Sequence, residues 1–144
     1  MRNFISIIAL CAASVSVAHA DQLVFSAEKS GGARVAAIDY VSNGTAVAFQ
    51  FKINVPGASE ASINLKSCVA ALPKSHAGQC AVVKDGIIGM VFSDTNELLP
   101  KGVISVGSIS VQSKVAGDLS VASFLAVNHA GEPIEATVVG SATK

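Results

Sequence analysis

The chain has 144 residues, of which 51% are hydrophobic and 14% charged, with ten Lys/Arg balancing ten Asp/Glu for a formal net charge of zero. No segment carries a run of like charges, and binding to a phosphate backbone needs clustered cations, so nucleic acid is not an expected partner and acidic lipid surfaces are disfavoured. The length fits one domain able to close a single core without metals.

Met1-Arg2-Asn3 is a short positive segment, Phe4 to Val17 an apolar run, and Ala18-His19-Ala20 a small-x-small cleavage site. That order defines a secretory signal peptide at residues 1–20. The apolar run contains three serines and falls short of the roughly 20 residues that span a bilayer. A lipoprotein reading centred on Cys11 fits less well, because bulky Leu10 precedes the cysteine. The expected mature protein is then a single domain, 21–144, secreted or periplasmic, with nine Lys/Arg against ten Asp/Glu and no membrane span. Two cysteines remain in it, Cys68 and Cys80. In an oxidising compartment, at a spacing that is not C-x-x-C and with no closely flanking histidine, they are expected to form a structural disulfide rather than a redox or metal pair.

Along the mature chain a period of two dominates. Leu23 to Ser26 reads as a first strand and Arg34 to Val41 as a second. From Ala46 to Val55 the residues Val47, Phe49, Phe51, Ile53 and Val55 share one face, while Ala48, Gln50, Lys52 and Asn54 share the other, the pattern of a half-buried strand. Ser42-Asn43-Gly44 is a turn signal before it, which predicts a hairpin between Arg34–Val41 and Ala46–Val55. Asn43-Gly44-Thr45 also has the form of a glycosylation acceptor, and the hairpin turn is the reading preferred. Further strands are predicted at Ser62 to Val69, Ala81 to Lys84, Ile87 to Ser93, Val103 to Gln112, Leu119 to Val127 and Ile134 to Val139. Ala70 to Gln79, with Pro73, His76 and Gly78, reads as a loop or helical turn stapled by the cysteines. Asp85-Gly86 reads as a two-residue type I′ connection. Asp94 to Glu97 opens the following connection, Pro100-Lys101-Gly102 closes it, and Leu98 and Leu99 are expected to cap the core edge. Eight or nine short strands with almost no helix predict an all-β, antiparallel β-sandwich.

Residues that could carry chemistry are sparse. His76 and His129 lie in separate loops and no G-x-S-x-G occurs, so no hydrolase triad is indicated. Asp94, Glu97, Glu132 and Glu135 are the carboxylates available to a glycosidase pair, and all sit at turns, where solvated side chains also blunt strand edges. Asp94, Asn96 and Glu97 place oxygen donors within one turn and are the candidate calcium ligands, although fewer than a dedicated calcium loop supplies. No Trp is present. Phe49 and Phe51 fall on the core face, Phe25, Phe92 and Phe124 lie in apolar runs, and Tyr40 alone has a polar handle, so a stacking platform for sugar rings is not evident. No enzyme activity and no resident cofactor are expected, calcium being the one candidate.

The order of an alternating apolar strand, a Pro-Gly turn, a strand with a short irregular loop, and then DGIIGMVFSDTNELLPKGVISVGSISV resembles the cohesin-type β-sandwich, of jelly-roll type within the carbohydrate-binding-module-like superfamily. Gly89-Met90-Val91-Phe92, Ser93 to Asn96, Leu99-Pro100-Lys101-Gly102 and Val103 to Val111 carry that resemblance, with Phe49 and Phe51 in the strand before. Asn54-Val55-Pro56 stands where the family has a Tyr-Asp ending, and the disulfide is no part of the usual pattern. The resemblance implies a non-catalytic module for protein-protein contact with a dockerin-like partner. The alternatives are a carbohydrate-binding module and a structural envelope-assembly subunit.

Overall fold

The computed structural model describes residues 19–112 and 118–142. The signal segment read at 1–20 and the Cys11 reading lie almost wholly outside the described residues. Among the described residues nine strands form two sheets: β1 (Asp21–Ser30), β2 (Ala33–Ser42), β3 (Ala48–Asn54), β4 (Ile63–Asn64), β5 (Ala77–Val83), β6 (Gly86–Phe92), β7 (Gly102–Gln112), β8 (Ser120–Val127) and β9 (Ala136–Ala142). One sheet has the order β4-β7-β2-β1-β9 and the other β5-β6-β3-β8. Apart from one three-residue 3₁₀ turn at Glu60–Ser62, the described residues are strand and loop, as the expected β-sandwich requires. Among the described residues every ladder is antiparallel except β1 with β9, which run parallel.

The core lies between the inward faces. Leu23, Phe25, Ile38, Tyr40, Val106 and Ile109 from one sheet meet Phe49, Phe51, Ile53, Ile87 and Val91 from the other. Burial of Val47, Phe49, Phe51, Ile53 and Val55 follows the sequence period residue by residue, because the strand side-chain repeat is two. In two strands the period changes phase at a bulge. Ile38 pairs with Gly107 but Asp39 with Ser105, so Val106 is an extra residue and the inward set switches from Ile104 and Val106 to Ile109 and Val111. Lys52 pairs with Ser123 but Ile53 with Val121, which does the same in β8.

Five expectations are corrected. β2 and β3 do not form a hairpin: β2 is flanked by β1 and β7 on both edges, and the chain crosses to the other sheet at 43–47, where Val47 N–H donates to Val127 O at 2.9 Å. The strand read at Ser62 to Val69 shrinks to β4, because Asn64 Oδ1 accepts from Lys66 N–H at 2.9 Å and Cys68 N–H donates to Leu65 O at 3.0 Å, curling the chain into turns. The strand expected at Ala81 begins at Ala77 instead, taking the end of the expected loop into the sheet. The connection after it is Lys84-Asp85, with Val83 paired to Gly86; Asp85 alone has positive φ, at 57°, so the turn is not type I′, which needs two such residues. Gly86 is required for another reason, since a β-carbon there would stand 2.4 Å from the Ile53 carbonyl oxygen. Of the leucine pair, Leu99 is buried, with its N–H donating to Ala46 O at 2.8 Å, and Leu98 is exposed.

Candidate functional site

Alternation of the four-stranded sheet decides which side chains face outward. β6 buries Ile87 and Val91, so Ile88, Met90 and Phe92 point away from the core. Their cross-strand neighbours are Ala81, Gln79 and Ala77 on β5 and Lys52 and Gln50 on β3. Beyond β3, β8 adds Ser123, Leu125 and Val127. Ile88, Met90 and Leu125 are 39%, 45% and 40% exposed, a degree that large apolar side chains reach together on a sheet face only when water covers it. A shallow depression of about 120 Å³ opens between Gln50, Met90, Phe92 and Leu125. Lys52, half-buried, is the only charged residue among the outward strand positions of this face. The result is an apolar, nearly uncharged surface with one cation, able to exclude water against a matching surface.

The aromatic residues divide differently from the sequence expectation. Phe92 lines the outer depression rather than the core. Tyr40, the one ring with a polar handle, is fully buried. It stacks on Phe49 with ring centroids 4.4 Å apart, and Phe124 meets both rings edge-on. The Tyr40 hydroxyl donates to Asp21 Oδ2, while Asp21 Oδ1 accepts from Asn43 N–H at 2.8 Å. Burial first, then the hydrogen bond to Asp21 and its negative charge, push the phenol above its ordinary range. No sequence period signalled this pair, because it depends on β1 lying beside β2.

The other candidates are held locally. Glu97 Oε1 accepts from Thr95 Oγ1 at 2.9 Å and Glu97 N–H donates to Ser93 Oγ at 3.0 Å, so the Asp94–Asn96–Glu97 connection is an exposed, self-bonded turn, with Asn96 at φ 57°. Among the described residues no three His, Cys, Asp or Glu gather around a common point. His76 is buried; its Nε2 donates to Val47 O at 3.0 Å and its Nδ1 accepts from the Ser75 hydroxyl at 2.8 Å, which ties the β4–β5 connection to the chain just before β3. His129 lies exposed on the turn after β8, where Glu132 accepts from Asn128 Nδ2 at 3.1 Å. Glu135 is exposed, and its backbone carbonyl accepts from Asp21 N–H at 3.3 Å. Asn43 Oδ1 accepts from Thr45 N–H at 2.9 Å, a local turn in the crossover between the sheets rather than the hairpin turn expected there. Cys68 and Cys80 are bonded, with Cα atoms 6.4 Å apart.

No protein-family profile matches the chain, and no curated protein matches it. Solved structures do. A cohesin module from a Clostridium perfringens family 33 glycoside hydrolase superposes with a TM-score of 0.58 at 9% identity, covering 85% of this chain and 98% of that one. A non-cellulosomal cohesin from the archaeon Archaeoglobus fulgidus gives 0.56 at 9% identity, over 85% and 88%. The sixth cohesin of scaffoldin B from Acetivibrio cellulolyticus, solved in complex with a dockerin, gives 0.55 at 13% identity, over 85% and 96%. With two sheets, nine strands and these superpositions, the chain has the cohesin-type β-sandwich fold.

Proposed function

We propose that the protein is a secreted or periplasmic, non-catalytic recognition module that binds another protein through the outer face of the four-stranded sheet. The observation that carries this reading is the shared exposure of Ile88, Met90 and Leu125 on one sheet face, where Met90 and Leu125 line a depression with Phe92 and Lys52 pairs with Ile88 across β3 and β6. Structures of the same fold have been solved with dockerins bound, which supports a protein as the partner class. The complementary surface is apolar at its centre, with a carboxylate placed to meet Lys52. A sugar ligand is less well served, since the face offers a single aromatic ring, half-buried Phe92.

The test places a photo-crosslinker at Gln50 of the exported protein in its own host and identifies the captured protein. The recombinant partner is then titrated against wild type and Met90→Asp. Anchors at the centre of an interface contribute about 2 kcal/mol or more, so Met90→Asp is expected to weaken binding roughly thirtyfold with unchanged melting. Undiminished binding by a folded Met90→Asp, or saturable binding to a defined glycan with no protein captured, would overturn the reading.

A further inference from the structure

A carboxylate sits in this core without a cation. Asp21, the first residue of β1, is 0% exposed, although His19, two positions earlier, is exposed and Ala20 half-buried. Its two oxygens accept from the Tyr40 hydroxyl and the Asn43 N–H, both neutral donors. A buried carboxylate is costly unless a cation accompanies it, and the elements flanking Asp21 bring none. β9, which meets it at Ala136, holds no Lys, Arg or His. The one cation of β2, Arg34, stands opposite Lys29 far along β1, about 26 Å away at the strand rise. Lys101 approaches the crossover turn, 3.5 Å from where a β-carbon on Gly44 would stand, and is exposed. Glu135, just before β9, is a second carboxylate and is also exposed.

The chain itself can supply the charge. Cleavage after Ala20, expected from the small-x-small site, hydrolyses the Ala20–Asp21 amide and leaves Asp21 with an α-ammonium. Within one aspartate the α-nitrogen and the carboxylate carbon are three bonds apart, so the two charges stand within about 4 Å in every rotamer. Asp21 N–H already donates to Glu135 O at 3.3 Å, a bond that an ammonium keeps, and the departure of Ala20 opens its remaining protons to water. We infer that Asp21, Tyr40, Asn43 and the Glu135 carbonyl form a socket for the mature α-ammonium, so that removing the leader stabilises the sandwich. The new terminus stays in the β1–β9 ladder and neutralises the buried carboxylate. With the leader attached, the same position holds an amide and the carboxylate keeps its uncompensated charge. The precursor is thereby less stable than the processed chain, which favours export before folding. The inference goes beyond the recognition reading; it rests on cleavage after Ala20 and not on that reading.

N-terminal sequencing of the purified exported protein is expected to read Asp21 first. Its thermal melting is then compared across pH with that of a chain starting at His19, whose ammonium lies two residues outside the socket. At pH 7 the Asp21-start chain is expected to melt roughly 5 °C higher. The carboxylate holds the folded ammonium's proton more tightly than the unfolded chain does, where the group titrates near 8. The added stability is thus complete below about pH 8 and is lost as pH rises through the folded value, so the gap narrows before Tyr40 ionises in either chain. Asp21→Asn removes the charge and is expected to erase the gap between the two starts. Should that variant fold poorly, an amine-acylating reagent gives a second reading, expected to label the Asp21 terminus slowly and the His19 terminus fast. A first residue other than Asp21, equal melting at pH 7, a gap unchanged to pH 10 or surviving in Asp21→Asn, or equally fast labelling would each overturn the inference. Partner binding through Met90 is read in a separate titration, so the two claims fail independently.

Discussion

Tyr40 shows how much one hydroxyl can be asked to do in a small core. It is the only tyrosine in the chain, its ring stacks on Phe49, and its hydroxyl meets the Asp21 carboxylate that also receives Asn43 N–H where the chain leaves β2. A buried carboxylate needs both donors, so Tyr40→Phe is expected to cost about 2 kcal/mol, the range for hydrogen bonds to charged groups. The pH dependence has a definite sign. The folded phenol is held above its ordinary range, so its contribution is complete below the unfolded value near 10. As pH rises past that value the unfolded chain releases the proton first, and stability falls until the folded phenol also ionises. Thermal melts above pH 10 should drop more steeply for wild type than for Tyr40→Phe, and tyrosinate absorbance should appear together with unfolding. A parallel loss in both proteins would show that Tyr40 is not the group responsible. The sequence exposed the polar handle on Tyr40 but not Asp21 as its partner, since nineteen residues separate them and only the β1–β2 register joins them.

At the scale of an element, β6 is the strand on which face, core and edge all depend. Its outward residues form the candidate site, its inward residues fill the core, and β3 and β5 pair on either side of it. Gly89 makes room for the opposing ring: a β-carbon there would stand 2.1 Å from Phe51 Cζ, and Phe51 is 1% exposed with no space to retreat. Gly89→Ala is therefore expected to destabilise the fold by about 1–3 kcal/mol, as overpacking does. The same change in a Phe51→Leu background should cost less, a non-additivity that chemical denaturation of the four proteins would measure. Equal cost in both backgrounds would rule out the ring contact as the cause. The element was legible as a strand from its short apolar run bounded by turn residues. Its outward Phe92 was not, because a run of apolar residues gives no period from which to choose a face.

For the whole molecule, the disulfide matters because of what it joins. Cys68 follows β4 on the five-stranded sheet, where the 67–68 backbone passes so close to β7 that Ser108 N–H donates to Ser67 O at 2.8 Å. Cys80 lies in β5 of the other sheet, so the bond ties the two sheets together at one side of the sandwich. Replacing both cysteines by serine should cost about 3 kcal/mol on the chain-entropy account of a loop this short. Denaturation with and without reductant checks this, and an unchanged midpoint would show that the packing of the 65–76 connection holds the sheets by itself. The sequence alone determined the fold class and the signs of burial along β3, and it named Cys68 and Cys80 as the bonded pair, because local periodicity and cysteine spacing are set within short stretches of chain. Tertiary structure alone decided that β2 and β3 belong to different sheets, that β1 and β9 run parallel, where the bulges shift the burial phase and which apolar residues remain outside. Those features rest on pairings between distant segments, and a strand carries no local mark of the neighbour it will take.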